Sequence, residues 1–258
     1  MTAKAILVTG AGSGIGRAVA QRFAEAGWLV GAYDVDPDAA AATGECLAGG
    51  RGHSGVMDVT DDASVTAALD EFTNITGGRL DVLFNSAGVL SIGAFSDLPL
   101  ARHLRHVEVN LAGLMRVTHA AFPALRATPG ARVINMSSAS ADYGVPDFAT
   151  YSASKFGVRG LTEALNLEWR GHDIHVCDMM PPFVRTPMLA GGPEPRSLQR
   201  LGVRLEADDV AAAVWRAATG RRRKTHWPVS RHYRLLYYTG LLLPPWLKRL
   251  IMRTISGY

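Results

Sequence analysis

The chain has 258 residues, 48% of them hydrophobic and 19% charged, a size and balance that suit one large α/β domain and exclude a disordered or fibrous protein. Its net charge of +4 is unevenly spread: residues 1–209 carry 17 basic and 23 acidic side chains, whereas 210–258 carry ten basic and no acidic ones. The body is therefore not a polybasic nucleic-acid binder, and any anionic partner belongs to the C-terminal fifth.

In chain order, apolar runs at 5–8, 28–33, 53–57, 82–85, 132–136 and 174–179 predict strands. Helical patterns lie between and after them at 14–26, 38–47, 61–74, 102–126, 151–170 and 206–218. Strict alternation of the two predicts βαβ units in a doubly wound parallel sheet with helices on both faces, a three-layer α/β/α fold. Residues 186–205, rich in Gly, Pro and mixed side chains, predict a mobile loop. The simplest division is one domain over 1–220 and a basic, apolar extension over 221–258. The opening residues run straight into the first strand, and no apolar stretch approaches the ~20 residues of a spanning helix, so a cytoplasmic protein is expected. Cys46 and Cys177 are expected to be reduced thiols.

Between the first strand and helix sits Thr9-Gly10-Ala11-Gly12-Ser13-Gly14-Ile15-Gly16. Glycines let the backbone turn sharply and let phosphates approach, while the free N–H groups and dipole of the helix start face the negative charge. The candidate contacts in this turn are Gly10, Ser13, Gly14, Ile15 and Gly16. Asp34, 18 residues beyond Gly16, ends the second strand. A carboxylate there accepts hydrogen bonds from ribose hydroxyls and repels a 2′-phosphate, which predicts NAD as the cofactor in preference to NADP.

Tyr151 and Lys155 stand four residues apart on a predicted helix and so share one face. An ammonium beside a phenol favours the phenolate, giving a group that can pass a proton to or from an alcohol oxygen. Read together, these segments resemble the short-chain dehydrogenase/reductase family over about residues 4–219, a Rossmann-type fold. The resemblance rests on the glycine turn, Asp58 in Met57-Asp58-Val59-Thr60, Asn85-Ser86-Ala87-Gly88, Asn110, Ser138 thirteen residues before Tyr151, and Tyr151 with Lys155. Ser86 departs from the family's Asn, and Pro182 from its usual Gly.

The resemblance implies that Ser138 polarises the substrate oxygen and Tyr151 is the general acid or base. It implies that Lys155 binds the nicotinamide ribose and assists Tyr151, and that Asn110 holds a water in a proton relay. Asn85 and Asp58 would line the adenosine side, together with Val59, Ala87 and Gly88. Pro181, Val184 and Thr186 would lie against the nicotinamide. It also implies a homodimer or homotetramer built on the helices holding Asn110 and Tyr151.

His103 with His106, and His172 with His175, read as solvated histidines, with no metal site. For 221–258 three roles stay open: contact with an anionic membrane surface, packing on a partner subunit, or covering the cleft. The expected activity is hydride transfer between NAD(H) and a secondary alcohol or ketone, of a lipophilic type such as a steroid, retinoid or fatty alcohol. The alternative is a non-catalytic dinucleotide-binding sensor, which would require a broken Asn110–Ser138–Tyr151–Lys155 set. The basic tail carries no aromatic stacking module, so no nucleic-acid partner is expected.

Overall fold

A computed structural model describes residues 3–50, 52–189 and 194–258. Most of the apolar runs become strands buried on both faces, as parallel strands under two helical layers must be, while the edge strand at 52–56 is half-buried. In chain order the elements are β1 (Ala5–Thr9), α1 (Gly14–Glu25), β2 (Leu29–Asp34), α2 (Pro37–Glu45), β3 (Gly52–Val56) and α3 (Asp62–Thr76). They continue with β4 (Val82–Asn85), α4 (Leu100–Val107), α5 (Leu114–Ala127), β5 (Arg132–Met136), α6 (Ala149–Glu168) and β6 (His175–Met180). The last third holds β7 (Val184–Arg185), α7 (Arg196–Leu201), β8 (Leu205–Glu206), α8 (Ala207–Thr219), β9 (His226–Pro228), α9 (Arg231–Gly240) and α10 (Pro245–Ser256).

Seven strands pair in parallel in the order β3-β2-β1-β4-β5-β6-β9. Successive side chains of a strand face opposite sides, and the core divides accordingly. Ile6, Val8, Phe84, Ile134 and Cys177 pack under α1 and α8 with Phe23, Val210 and Val214. Leu7, Leu83, Val133 and Val176 pack on the other side with Phe72, Val117 and Leu125. The strand order reverses between β1 and β4, and the crevice beyond their C-terminal ends is where such sheets bind ligands.

Three expectations need correction. The helix foreseen over 102–126 is not continuous: α4 and α5 are joined by a π-helical turn over Glu108–Gly113. The π-turn places Asn110 where its side chain spans to Val89 and Ser154. The loop foreseen over 186–205 is mostly structured, with a short helical turn at Pro187–Leu189, then α7 and β8, the last paired with β7. Residues 190–193 lie outside the described part. Finally, a division at 220/221 cuts through the sheet, because β9 is its seventh strand.

That last strand is held by a buried pair. Asp178 on β6 is fully buried, and His226 on β9 lies 3.0 Å from it through Nδ1 and 3.0 Å from Glu163 through Nε2. Burial raises the Asp178 pKa, with His226 opposing. Burial works against a charged His226 too, but the hydrogen bond and charge of Asp178 outweigh it and hold the imidazole's pKa above its usual value.

Candidate active site

The glycine turn is shaped by close approach. Gly10 has φ +66°, and a Cβ there would lie 2.7 Å from the Ala87 Cα. A Cβ on Gly16 would strike the Gly10 carbonyl. Thr9 Oγ1 accepts from the N–H groups of Ser86 and Ala87, both at 3.1 Å, which joins this turn to the loop after β4. Gly88 follows, its backbone near the Asn110 amide.

Helices α2 and α3 have Asp36 and Asp61 as N-caps, each accepting two backbone N–H groups. Helix α1 has neither a side-chain cap from Ser13 nor an acid in its first turn. Its N–H groups and dipole are thus available for an anion, which fits a pyrophosphate. At the end of β2, Asp34 accepts from Gly12 N at 2.8 Å and Asp36 N at 3.1 Å. Its carboxylate is therefore fixed beside the turn, as ribose recognition requires.

Across the groove, a Cβ on Gly14 would lie 3.2 Å from the Thr186 Cγ2, so the α1 start faces the segment after β6. Val184 is buried and paired with Leu205. Pro181 accepts from Ala139 N through its carbonyl. Asp58 accepts from Thr60 through both its N–H and its hydroxyl, which lowers the Asp58 pKa. Val59 is buried next to Gly113. Asn85 departs from its expected place: its side chain is buried and donates to Thr118 and Asn135, both at 2.9 Å. It knits β4 to β5 and α5 instead of lining an adenosine surface.

The chemical groups converge on α6. Ser152, Ser154, Lys155, Val158 and Thr162 form its buried face, with Tyr151 at the edge. Ser138 follows β5, and its Oγ accepts from Ser140 N at 3.2 Å. A hydrogen bond with Ser138 favours the Tyr151 phenolate, but burial dominates and pushes the phenol up to about 12. Burial draws Lys155 down to about 8. Lys155 Nζ lies 5.5 Å from the Tyr151 ring centre and donates to the Met136 carbonyl at 2.8 Å. The direct charge attraction expected between these two is thus weaker than their shared burial, and Ser138 is the partner that favours the phenolate. Asn110 accepts from Val89 N at 2.7 Å and donates to Val89 O at 3.0 Å and to Ser154 at 3.3 Å. Its side chain is used to pin the loop after β4 to the helix bearing Tyr151.

Sequence reasoning missed several supports of this site. His103 and His106 are buried, not solvated. His103 bonds Phe95 O at 3.0 Å through Nε2 and Thr150 Oγ1 at 2.7 Å through Nδ1. His106 accepts from Ser91 N at 2.8 Å through Nε2, and its ring lies edge-on to Tyr151 at 6.2 Å. Burial, helped by the charges of His103 and Lys155, lowers the His106 pKa, so the ring stays neutral. The two histidines anchor the loop beside Tyr151. Their spacing one helical turn apart was the only available signal. His175 is buried as well and lowered to about 4, whereas His172 is exposed. Among the described residues no group of three or more metal-binding side chains forms. Cys46 and Cys177 are both free, one exposed and one buried. Arg17 donates to the Gly12 carbonyl and to Thr43, whose hydroxyl reaches Ala11 O at 3.0 Å. Nothing local in the sequence marks Thr43.

The extension covers its own domain. On α9, Tyr237 packs with Ala141, Met180 and Tyr233. The C-terminal carbonyls of α10 receive Arg196 and Arg200 of α7, and Tyr258 donates to Asp147 at 2.9 Å. Among the described residues no helix is long and apolar enough to cross a membrane.

The short chain dehydrogenase profile matches residues 4–196. D-threitol dehydrogenase of Mycolicibacterium smegmatis is 36% identical over 219 residues, covering 82% of this chain and 84% of the relative. The structure of 3-ketoacyl-(acyl-carrier-protein) reductase from Brucella melitensis, complexed with NADH, superposes with a TM-score of 0.80 at 26% identity, covering 88% of this chain and 96% of that one. A variant of actinorhodin polyketide ketoreductase, with NADPH, also gives 0.80, at 30% identity and with 88% and 95% covered. With the glycine turn and the Ser138, Tyr151 and Lys155 groups gathered at the ends of its sheet, this chain belongs to the short-chain dehydrogenase/reductase family.

Proposed function

We propose that the protein is an oxidoreductase that moves a hydride between NAD(H) and a secondary alcohol or ketone, with Tyr151 as general acid and base. The observation that carries this reading is the grouping of Ser138, Tyr151 and Lys155 beyond the C-terminal ends of the sheet, the end at which the uncapped start of α1 also opens and where such folds carry a ligand groove. Bound along that groove, the dinucleotide would supply the hydride donor or acceptor. Ser138 holds the substrate oxygen, and Tyr151, its pKa raised to about 12, gives that oxygen a proton in reduction and recovers it in oxidation. Lys155 and Asn110 keep Tyr151 and the neighbouring loop in place. The fixed Asp34 carboxylate favours NAD over NADP by repelling a 2′-phosphate. Exposed Phe95, stacked on His103, and exposed Met188, two residues beyond Thr186, suit a lipophilic substrate better than a short polyol. We further propose a homodimer or homotetramer built on the outward faces of α5 and α6, where Met115, Leu161, Leu165 and Trp169 line a groove of about 510 Å³.

The test is absorbance of NADH or NADPH during turnover of steroid, retinoid, fatty and short secondary alcohols. The expected result is NADH formation with a lipophilic alcohol and at least about tenfold higher kcat/KM with NAD than with NADP. No turnover of any alcohol, with the dinucleotide still bound, would favour the sensor reading instead. Light scattering coupled to size exclusion reads the assembly, and a monomer would remove the oligomer from the proposal.

A further inference from the structure

We propose that the outward faces of α9 and α10 form a docking surface for the anionic face of a lipid bilayer. The two helices are seated on the domain by their inner sides. Tyr233, Tyr237 and Gly240 face Ala141, Met180 and Asp142 from α9, and α10 is tied to α7 through Arg196 and Arg200. What they leave outside is therefore fixed by the fold.

That outer side is apolar where a water-facing helix should be polar. Leu235, Leu236, Leu241, Leu242, Trp246 and Leu250 are all exposed, Leu242 by 87% and Trp246 by 67%. A cluster of this kind marks an interaction site. Trp246 and Leu250 stand one helical turn apart, and Arg249 and Arg253 form the adjacent row. Arg231, Arg234 and Arg249 have no acidic partner among the described residues, and Arg253 donates to the Tyr258 main-chain oxygen at 3.1 Å. The segment from 210 onward holds ten Lys or Arg and no Asp or Glu.

The charge identifies the occupant. A second copy of this face would set like charges against each other across the contact, whereas an anionic lipid surface complements them. Leucines with a tryptophan beside arginines are the side chains that settle at a water–hydrocarbon boundary. The helices have 10 and 12 residues, separated by a break at 241–244, so each lies on the bilayer and neither crosses it. Because α10 holds α7, docking would bring the cleft mouth to the lipid surface. That last consequence rests on the function proposed above, but the docking does not.

The test is co-sedimentation of the full chain with phosphatidylcholine vesicles, with and without phosphatidylglycerol, across a salt series. The expected result is binding at least about tenfold tighter to the anionic vesicles, weakening as salt rises. Leu242→Ser with Trp246→Ser should lose at least about tenfold in that binding, and Arg249→Gln with Arg253→Gln should lose the difference between the lipids. All four side chains are exposed and outside the reacting groups, so an unchanged melting transition certifies the variants. Equal binding to both vesicle types, no binding at low salt, or variants that bind like the parent would overturn the proposal. So would a smaller oligomer in sedimentation velocity for the leucine–tryptophan variant, which would assign the face to a second copy. Vesicle binding is read without turnover, so its failure and the failure of the enzymatic reading are separate results.

Discussion

The two walls of the groove are built in different ways. The dinucleotide wall is held by part-buried backbone geometry: an uncapped helix start, glycines that admit close backbone contacts, Asp34 bonded to Gly12, and Thr9 bonded to Ser86 and Ala87. The substrate wall is held by contacts across long stretches of chain: Arg200 to Thr254, Arg196 to Gly257, Arg159 to Tyr237 and Tyr258 to Asp147, separated by 54, 61, 78 and 111 residues. Three of these four contacts lie at the exposed surface, whereas those of the dinucleotide wall are part-buried, so this wall is expected to open more readily than the other. On the function proposed above, the difference would place cofactor binding and proton transfer in a rigid half, and substrate selection in a half that can be altered separately.

The sharpest way to break this comparison is at the shared edge. Tyr151→Phe removes only the proton-transferring hydroxyl. It is expected to cut kcat by about 10²–10⁴-fold while NADH binding, read by fluorescence titration, stays unchanged. Activity within about tenfold of the parent would remove Tyr151 from its role. Next comes the rigid wall. Asp34→Ala should reduce the NAD-over-NADP ratio in kcat/KM toward parity, a change of about tenfold, without altering the KM for the alcohol. A parent enzyme that uses both cofactors equally would show that the carboxylate does not set the choice.

How far each wall was legible follows from the same contrast. The glycine turn, Asp34 and the Tyr151–Lys155 spacing are local patterns with a direct structural meaning, and their elements formed where expected. The parallel, doubly wound character of the sheet also followed from alternation. Asn85 misled because a motif gives position along the chain but not the direction of a side chain, which Thr118 and Asn135 decide here. The π-turn at Asn110 left no mark in the hydrophobic period. His103 and His106 looked like surface residues because their partners, Phe95, Thr150 and Ser91, are loop and helix-start groups that only the fold brings near. Helix α7 was hidden because six residues give too short a periodic pattern, and its partner α10 lies more than 40 residues further along.

The more exposed wall gives a smaller effect. Arg196→Ala with Arg200→Ala unties α7 from the end of α10. A rise of about three- to tenfold in the alcohol KM is expected, with kcat and dinucleotide affinity nearly unchanged, measured by initial rates and titration. An equal loss in dinucleotide affinity would show that the walls are not separate. The smallest effect is on stability. The His226 and Asp178 pKa values both lie above their unfolded ones. Each folded group then binds protons that its unfolded counterpart has released, so stability is greatest at low pH within this window and falls as pH rises. For His226 the contribution is complete below about 6.5 and is lost as pH climbs through its raised value. Thermal melts from pH 6 to 9 should decline for the parent, and the decline should be shallower in His226→Gln. Arg159 and Glu163 border the pair.

The late arrival of β9 also bears on how the chain is made. All of β6 is buried in the finished sheet, yet until residues 226–228 emerge it has an open edge and a buried-type carboxylate with no imidazole to meet it. A nascent chain ending near 220 therefore presents an apolar strand edge ready to pair with another chain. For this molecule the C-terminal fifth is the closing piece of the sheet, and a polypeptide released before it is complete is expected to aggregate and not to yield a smaller working enzyme.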